Sequence, residues 1–453
     1  MQESTKRYSL DLKLSPSKGR QTSLNDFGAN GTTITDFYYH ESILNETIKA
    51  TVIYTDVGKY PVGDGITKTI VEGMPIEGGE DVNVTLKDLN HDATLKVNLQ
   101  VRDPNVLSKD TLRSLASLEL ISEEGIKNYK KVVEKRYDGK ISDIVERICK
   151  EQFQTKKKLD IESTANERNL ICNNWHPFYI NHWLANSAIP NFQNAEGNTA
   201  GFFFFETSEG FKFKSIDGLL STTDEKGNKK KVKKFIYNQT VDLPVDYDAK
   251  ILEFEPPSSV GDIIKKLEAG TYSTRTILFD PFNCYYEVIT PNAQSPKTSK
   301  GSQENLKRAG KKLPQINPKF NVEGTNKDFS KTKYYLLDTG TLPSGDTKAQ
   351  IQKSKKINFD PKNILNQSSM RYNQLFSSQT TITIYGDFSL HAGDLIYIDP
   401  PQPSNKQTPE LDDYLGGHYV IADLCHYYNL THGCFTKITA VRDSVGKKGY
   451  STS

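Results

Sequence analysis

The sequence predicts an α+β chain, mainly β, built from two similar antiparallel β-barrel domains with intervening α/β elements and a polar insertion. Three observations predict it: period-two alternation in two separate blocks, a spacing shared by those blocks, and a change to helical period between them. Leu10, Leu12 and Leu14 alternate with polar residues, as do Ile48, Ala50, Val52 and Tyr54. Val82, Val84 and Leu86 do the same, followed by Leu95, Val97, Leu99 and Val101. Such alternation buries one face of a strand and wets the other, as in an antiparallel sheet or barrel. Gly63-Asp64-Gly65 and Gly78-Gly79 supply turns, and Pro104 closes the block, which sets a first domain at 1–106.

The period then changes. Ile141, Ile144, Val145 and Ile148 mark an amphipathic helix, and Ile180, Trp183, Leu184 and Ser187 mark another, ended by Pro190. Lys156 to Ile161 reads as a short edge strand between them. Phe202–Phe205 and Gly210–Phe213, joined by a Ser208-Glu209-Gly210 turn, read as a hairpin whose first strand is buried on both faces. This α+β domain spans 107–245. A helix from Val260 to Leu267 and a strand from Thr274 to Phe279 follow, and residues 246–290 plus 375–446 form the second β domain. Residues 291–333 carry ten Lys/Arg against three acids and two aromatics, too few apolar groups to fold alone. With a helix near Ile364 to Phe376, they make an inserted polar and basic segment at 291–374, and 447–453 is a C-terminal tail.

The two strand-rich blocks share a spacing. Ile76-x-x-Gly79-Glu80-x-Val82-x-Val84 has the same form as Leu390-x-x-Gly393-Asp394-x-Ile396-x-Ile398. The blocks close on the same tripeptide, Val101-Arg102-Asp103 and Val441-Arg442-Asp443. Gly allows the tight turn and the acid after it caps the turn before the strand begins. If the repeat is structural, the chain holds two similar barrels, the second with a Pro-rich insertion near Pro400-Pro401-Gln402-Pro403. The alternative is two generic turns and a coincidental tripeptide, and pattern alone does not separate the two.

Composition narrows the function classes. At roughly 100–200 residues per domain, 453 residues make about three or four domains. The formal charge of +2, from 58 Lys+Arg against 56 Asp+Glu, gives no long-range pull on nucleic acid or acidic membranes. The 36% apolar content is low, but 23 Tyr and 21 Phe argue for real cores between long polar loops. No apolar run approaches a membrane span, and MQESTKRYSLDLKL lacks the apolar core of a signal peptide, so no membrane insertion is expected. Five sparse cysteines fit free thiols in a reducing compartment better than a disulfide frame.

No active site emerges. No GxxxxGK[ST] or GxGxxG follows a strand, and nothing resembles GxSxG. Cys425-His426 with His432-x-Cys434 offers zinc-type ligands, yet adjacent strand residues point to opposite faces. Cys172, His176 and His182 are looser, across Pro177. Glu80-Asp81 and Glu123-Glu124 read as solvated turn residues. Lys229-Lys230-Lys231 and Lys233-Lys234, after the hairpin tip Asp224–Asn228, read as a solvated loop with a phosphate contact as the alternative. The expectation is no catalytic residue, no cofactor and no metal, in a chain that binds or assembles.

Several stretches carry a family likeness. They are Ser42-Ile43-Leu44 with Ile48–Asp56, Gly73-Met74-Pro75-Ile76 with Gly78-Gly79-Glu80, and Asn174–Phe178 with Trp183-Leu184-Ala185. Phe203–Thr207, Gly210–Asp217, Gly386-Asp387, Leu390-x-x-Gly393-Asp394, Gly417-x-Tyr419-Val420-Ile421, His426 and Val441-Arg442-Asp443 complete them. In these the chain resembles the central hub protein of contractile-tailed (T4-type) bacteriophage baseplates, and more distantly the base of type VI secretion spike proteins. It departs in the basic stretch 291–333 and its polar continuation to about 360.

The resemblance implies two barrel "tube" domains per chain and a homotrimer whose six barrels form a ring between a sixfold tail tube and a trimeric central spike. It implies as partners the spike, the tail tube or tube-initiator protein, and baseplate wedge and tape measure proteins, with DNA only as transiting cargo. The location would be the virion tail baseplate, after assembly in the host cytoplasm. Near-neutral charge suits a conduit that must not grip DNA. The tail residues Lys447, Lys448 and Tyr450 are candidates for docking the spike, against the alternative of a frayed terminus. A tail-associated cell-wall hydrolase and a carbohydrate-binding tail component stay open as other classes.

Overall fold

A computed structural model describes residues 7–16, 21–90, 93–191, 200–223, 227–237, 249–257, 262–272, 274–280, 284–289, 308–310, 331–336, 347–348, 361–402, 410–412 and 414–446. The first part contains β1 (Tyr8–Ser15), β2 (Thr22–Ser23), β3 (Thr32–Ser42), β4 (Lys49–Asp56), β5 (Tyr60–Gly63), β6 (Ile66–Lys68), α1 (Ile70–Gly73), β7 (Asp81–Asp88), β8 (Ala93–Lys109) and β9 (Ser114–Ile121). The middle contains α2 (Glu123–Lys130), β10 (Arg136–Lys140) and α3 (Ile141–Ile148), which runs into a π turn at Cys149–Phe153. It continues with β11 (Lys158–Ile161), β12 (Glu167–Ile171), α4 (Pro177–Ala185), β13 (Phe202–Thr207), β14 (Gly210–Ser215) and α5 (Ile216–Leu220). The last part contains β15 (Lys233–Tyr237), β16 (Lys250–Ile251), β17 (Glu253–Glu255), α6 (Ile263–Ala269), β18 (Thr274–Asp280), β19 (Tyr285–Ile289), β20 (Lys331–Leu336) and α7 (Pro361–Leu375). It ends with β21 (Ser378–Tyr385), β22 (Leu395–Asp399), β23 (Pro401–Gln402), β24 (Glu410–Leu411), β25 (Gly417–Asn429) and β26 (Gly433–Arg442).

The chain is mostly β, and one 14-stranded mixed sheet carries both strand-rich halves. Its path runs β2-β1-β7-β8-β9-β4-β3-β25 and branches there, to β22-β15-β16 on one side and β26-β21-β17 on the other. Alternation dictates register in the first half: Leu10, Leu12 and Leu14 lie opposite Leu86, Val84 and Val82, all buried in one core. Tyr428, Cys434 and Phe388 of the second half complete that core, so the halves interlock.

The middle part packs α3 and α4 on the three-stranded sheet β11-β14-β13. β13 is buried along its whole length because it divides two cores. Phe202 and Phe204 join Phe211, Phe213 and the helices, whereas Phe203 and Phe205 face Ile216, Leu219 and Leu375. β11 pairs only with β14 among the described strands, in parallel, as an edge strand does.

The halves differ from the expected pair of antiparallel barrels in sharing this sheet and in the parallel pairs β15–β16 and β15–β22. Pro104 does not close the first block: β8 runs through it to Lys109, so position 106 falls inside a strand and the sheet continues to Ile121. Proline is tolerated there because β8 keeps only one described partner beyond residue 102. Lys233 and Lys234 lie in β15 rather than a loop, and β18, β19 and β20 form their own three-stranded sheet. Most of 291–333 lies outside the described residues, as do the hairpin tip 224–226, the Pro-rich stretch 403–409 and the tail residues Lys447, Lys448 and Tyr450.

Phe204 is 1% exposed and packs among Phe178, Phe211 and the His182 ring. Phe204→Ala should cost about 3–5 kcal/mol, read as a lowered urea midpoint without a change in slope.

Candidate functional site

The Gly-acid motifs make the same turn in both halves. Gly79 N–H donates to the Val101 carbonyl at 2.7 Å, and Val101 N–H donates back to the Glu80 carbonyl at 2.9 Å. Gly393 N–H donates to the Ile421 carbonyl at 2.8 Å, and Ile421 N–H donates back to the Asp394 carbonyl at 2.9 Å. Both glycines hold left-handed backbone, φ +92° and +86°, as the reversal into a strand requires. Each acid also folds its carboxylate back on the turn: Glu80 accepts from Glu77 and Gly78 N–H, and Asp394 accepts from His391 N–H at 2.9 Å.

The likeness extends past the turn to a bulge. The β8–β9 register slips between Val101 and Asp103, and the β25–β26 register slips between Ile421 and Asp423. The extra residues, Arg102 and Ala422, each lie one position after the residue that answers the glycine. This geometry aligns Val101-Arg102-Asp103 with Ile421-Ala422-Asp423. Val441-Arg442-Asp443 aligns instead with Ile121-Ser122-Glu123, because Val441 faces Val420 as Ile121 faces Gln100.

The two Val-Arg-Asp tripeptides therefore do different work. Arg102 is exposed and reaches Glu119 at 3.4 Å, while Asp103 accepts from Asn105. Arg442 is buried over the Tyr419 ring and donates to the carbonyls of Leu415, Gly416 and Gly446 at 3.0–3.1 Å. Asp443 is fully buried and accepts from Arg371 of α7 at 2.8 Å, and Arg371 also reaches Asp217 of α5 at 2.9 Å.

At its bulge β25 exchanges partners. Gly417 to Val420 pair with β22, whereas Asp423 to Asn429 pair with β3, and Ile43 N–H donates to the Ala422 carbonyl at 2.9 Å. Beside this junction lies Glu41, 1% exposed and unmarked in the sequence. Its carboxylate accepts from Tyr39 hydroxyl at 2.7 Å, Ser208 N–H at 2.8 Å and Ala392 N–H at 3.0 Å, with His391 Nδ1 at 3.4 Å. One carboxylate thus ties β3, the β13–β14 turn and the approach to β22. Burial pushes Glu41 up, but the hydrogen bond and charge of His391 with the other donors outweigh it and hold the group below its ordinary value. Burial likewise pushes His391 down, and Glu41 outweighs it, so His391 sits above its ordinary 6.5.

A second clamp fastens the middle part to the first half. Lys157 lies 2.5 Å from both Glu124 and Glu206, and Glu206 accepts from Ile48 N–H at 3.1 Å. Burial keeps the Glu206 carboxyl above the usual range despite Lys157.

The other chemical candidates are placed as follows. Lys233 pairs with Asp387 and Lys234 with the buried Asp399. Lys230 donates to the Gly218 carbonyl and lines a mixed-charge cleft with Lys158, Lys212, Lys214 and Asp394. Cys425 approaches His40, while His426 is buried on the other face with Nδ1 at 2.8 Å from Thr436 Oγ1. His176 Nδ1 lies 2.9 Å from the Asn128 and Lys131 carbonyls, and His182 faces Glu46. Among the described residues no three His, Cys, Asp or Glu side chains form a metal-binding group.

Two solved structures of tail proteins share this fold. A tail protein from Neisseria meningitidis MC58 superposes with a TM-score of 0.52 at 8% identity, over 96% of this chain and 97% of that one. A prophage MuSo2 tail protein from Shewanella oneidensis gives 0.51 at 10% identity, over 97% and 99%. An Escherichia coli component of the type VI secretion system gives 0.44 at 10% identity, over 98% and 79%. The chain has the fold of phage tail proteins over nearly its whole length. No family model and no curated protein sequence matches it.

Glu41→Ala should cost about 3–5 kcal/mol in chemical denaturation, because it strands His391, the buried Ala392 N–H and the half-buried Ser208 N–H. His426 gives a pH signature. Burial depresses it to about 4, so its stabilising contribution is complete above 6.5 and is lost as pH falls toward 4, on the order of 3 kcal/mol. His426→Gln should flatten that acid limb in urea midpoints taken from pH 7 to 4. His391 has the opposite sign, its contribution complete below 6.5 and lost as pH rises through its raised value.

Proposed function

We propose that this chain is the central hub of a contractile phage tail baseplate, a structural protein that assembles as a homotrimeric ring. The matched turn and bulge in the two halves carry this reading, supported by the tail-protein fold. Two equivalent barrel-like tube halves in each of three subunits present six similar surfaces on one side of the ring. The middle parts keep true threefold symmetry on the other. Such a ring adapts a sixfold tail tube or tube-initiator protein to a trimeric central spike, with wedge and tape measure proteins as neighbours and DNA passing through. The charge of +2 suits a conduit that does not hold its cargo. We assign the polar segment 447–453, with Lys447, Lys448 and Tyr450, a part in docking the spike, on its sequence alone.

Sedimentation velocity with negative-stain imaging tests the assembly. The expected result is an annular particle of three 51.0 kDa chains. A monodisperse monomer, in the presence and absence of a candidate spike, would overturn the reading. The same preparation should leave peptidoglycan uncleared in a zymogram, and clearing would move the protein to the hydrolase class.

A further inference from the structure

A cleft between the middle part and the second half holds more lysine charge than its own carboxylates answer. Its floor is the face of the β11–β14–β13 sheet turned away from α3 and α4. Alternation builds that face: Phe211 and Phe213 enter the helical core, so Lys212 and Lys214 point the other way. Leu159 lies level with Phe211 and packs on the same core, which leaves Lys158 and Asp160 on the side of the lysines. Residues of α5, the segment before β15 and the Gly393–Asp394 turn wall the cleft, whose volume is about 710 Å³.

Five lysines line it, Lys158, Lys212, Lys214, Lys230 and Lys231, against three acids, Asp160, Glu162 and Asp394. The acids are already engaged. Glu162 accepts from Ser215 N–H at 2.8 Å and its hydroxyl at 2.6 Å, Asp160 pairs with Lys214 at 2.8 Å, and Asp394 accepts from His391 N–H. Lys212 pairs with Glu209 at 2.9 Å. Lys230 donates to the Gly218 carbonyl at 2.5 Å. Among the described residues, Lys158, Lys230 and Lys231 meet no carboxylate at ion-pair distance. Burial, with the Lys214 charge beside it, holds Lys230 below its ordinary 10.5 against the pull of Glu162, Asp394 and Asp160. An anion in the cleft would offset that cost.

The floor lysines form a row. Lys212 and Lys214 stand two residues apart, ~7 Å along β14, and Lys158, level with Gly210, extends the row to about 13 Å. An extended peptide with acids at every second position presents carboxylates at that same interval. A single phosphate needs donors that converge on one centre, and Lys212 and Lys214 are drawn to different carboxylates. A nucleic-acid strand needs exposed rings to stack its bases, and the aromatic residue among the described lining residues, Phe205, is fully buried.

We propose that this cleft binds an extended acidic segment of a partner protein, its alternate carboxylates meeting Lys158, Lys212 and Lys214, with Lys230 and Lys231 at its flank. The basic stretch 291–333 of the chain itself has the wrong sign to fill it. The contact is screened by salt and selects for charge more than it adds strength. This goes beyond the hub reading: it names the chemistry of a partner, and it holds whether or not the chain forms a ring.

Fluorescence anisotropy of the full chain with a labelled peptide of alternating Glu and Ser tests the site. Saturable binding that weakens with added salt is expected, and no binding at low salt would overturn the proposal. Lys158→Gln combined with Lys231→Gln, both at exposed positions, should weaken binding about tenfold at an unchanged urea midpoint. Asp160→Asn removes a competing carboxylate from Lys214 and should tighten binding about threefold, a gain that a damaged fold does not produce. Affinity unchanged in both variants would put the peptide elsewhere and contradict the site. Labelled oligothymidylate binding more tightly than the peptide, or inorganic phosphate displacing the peptide at equal concentration, would overturn the partner's chemistry.

Discussion

A single extra residue in β25, Ala422, governs how this chain is put together. Before it the strand pairs with β22, after it with β3, and β26 accompanies it from Val420 to Asn429. The Gly393–Asp394 turn begins β22 at this point, which leaves the rest of the β25 edge to β3. Its register is strongly constrained. A slip of one residue would turn Leu424, His426 and Tyr428 from the buried faces to the wetter ones and reverse what lies opposite β3. The Ile43 N–H bond to the Ala422 carbonyl and the carboxylate of Glu41 beside it hold the register where the strands diverge.

The buried charges serve placement more than stability. Ion pairs taken out of water gain little over apolar packing, yet removing one partner is severe, so they discriminate against displaced arrangements. Glu41 is satisfied only when three parts of the chain bring Ser208 N–H, Ala392 N–H and Tyr39 together. Lys157 with Glu124 and Glu206, and Arg371 with Asp217 and Asp443, do the same at two other junctions. Such joints fix the two halves and the middle part relative to one another.

What was legible in the sequence was local. The alternation of Leu10, Leu12 and Leu14 foretold strand and face, and the Gly-acid spacing located both turns, since left-handed glycine and a capping carboxylate are demands of a few consecutive residues. The tripeptide misled about alignment because a bulge is defined by what lies opposite it, and Val441-Arg442-Asp443 sits one strand over from the true counterpart of Val101-Arg102-Asp103. Pro104 reads as a stop, although a strand with one partner does not need the missing N–H. Lys234 read as solvated because its partner Asp399 is far along the chain, and nothing around Glu41 distinguishes it from an exposed acid at a strand end. The branch that joins the halves is wholly long-range and had no local signature.

The account stands or falls on the equivalence of the two halves around a ring. A cryo-electron microscopy reconstruction of the assembled particle, refined without imposed symmetry, tests it most directly. It should show six like sheet units on one face, with the β3–β25 seam inside each chain, and threefold symmetry in the helical layer. A threefold particle whose second-half sheets lie out of the ring would contradict it.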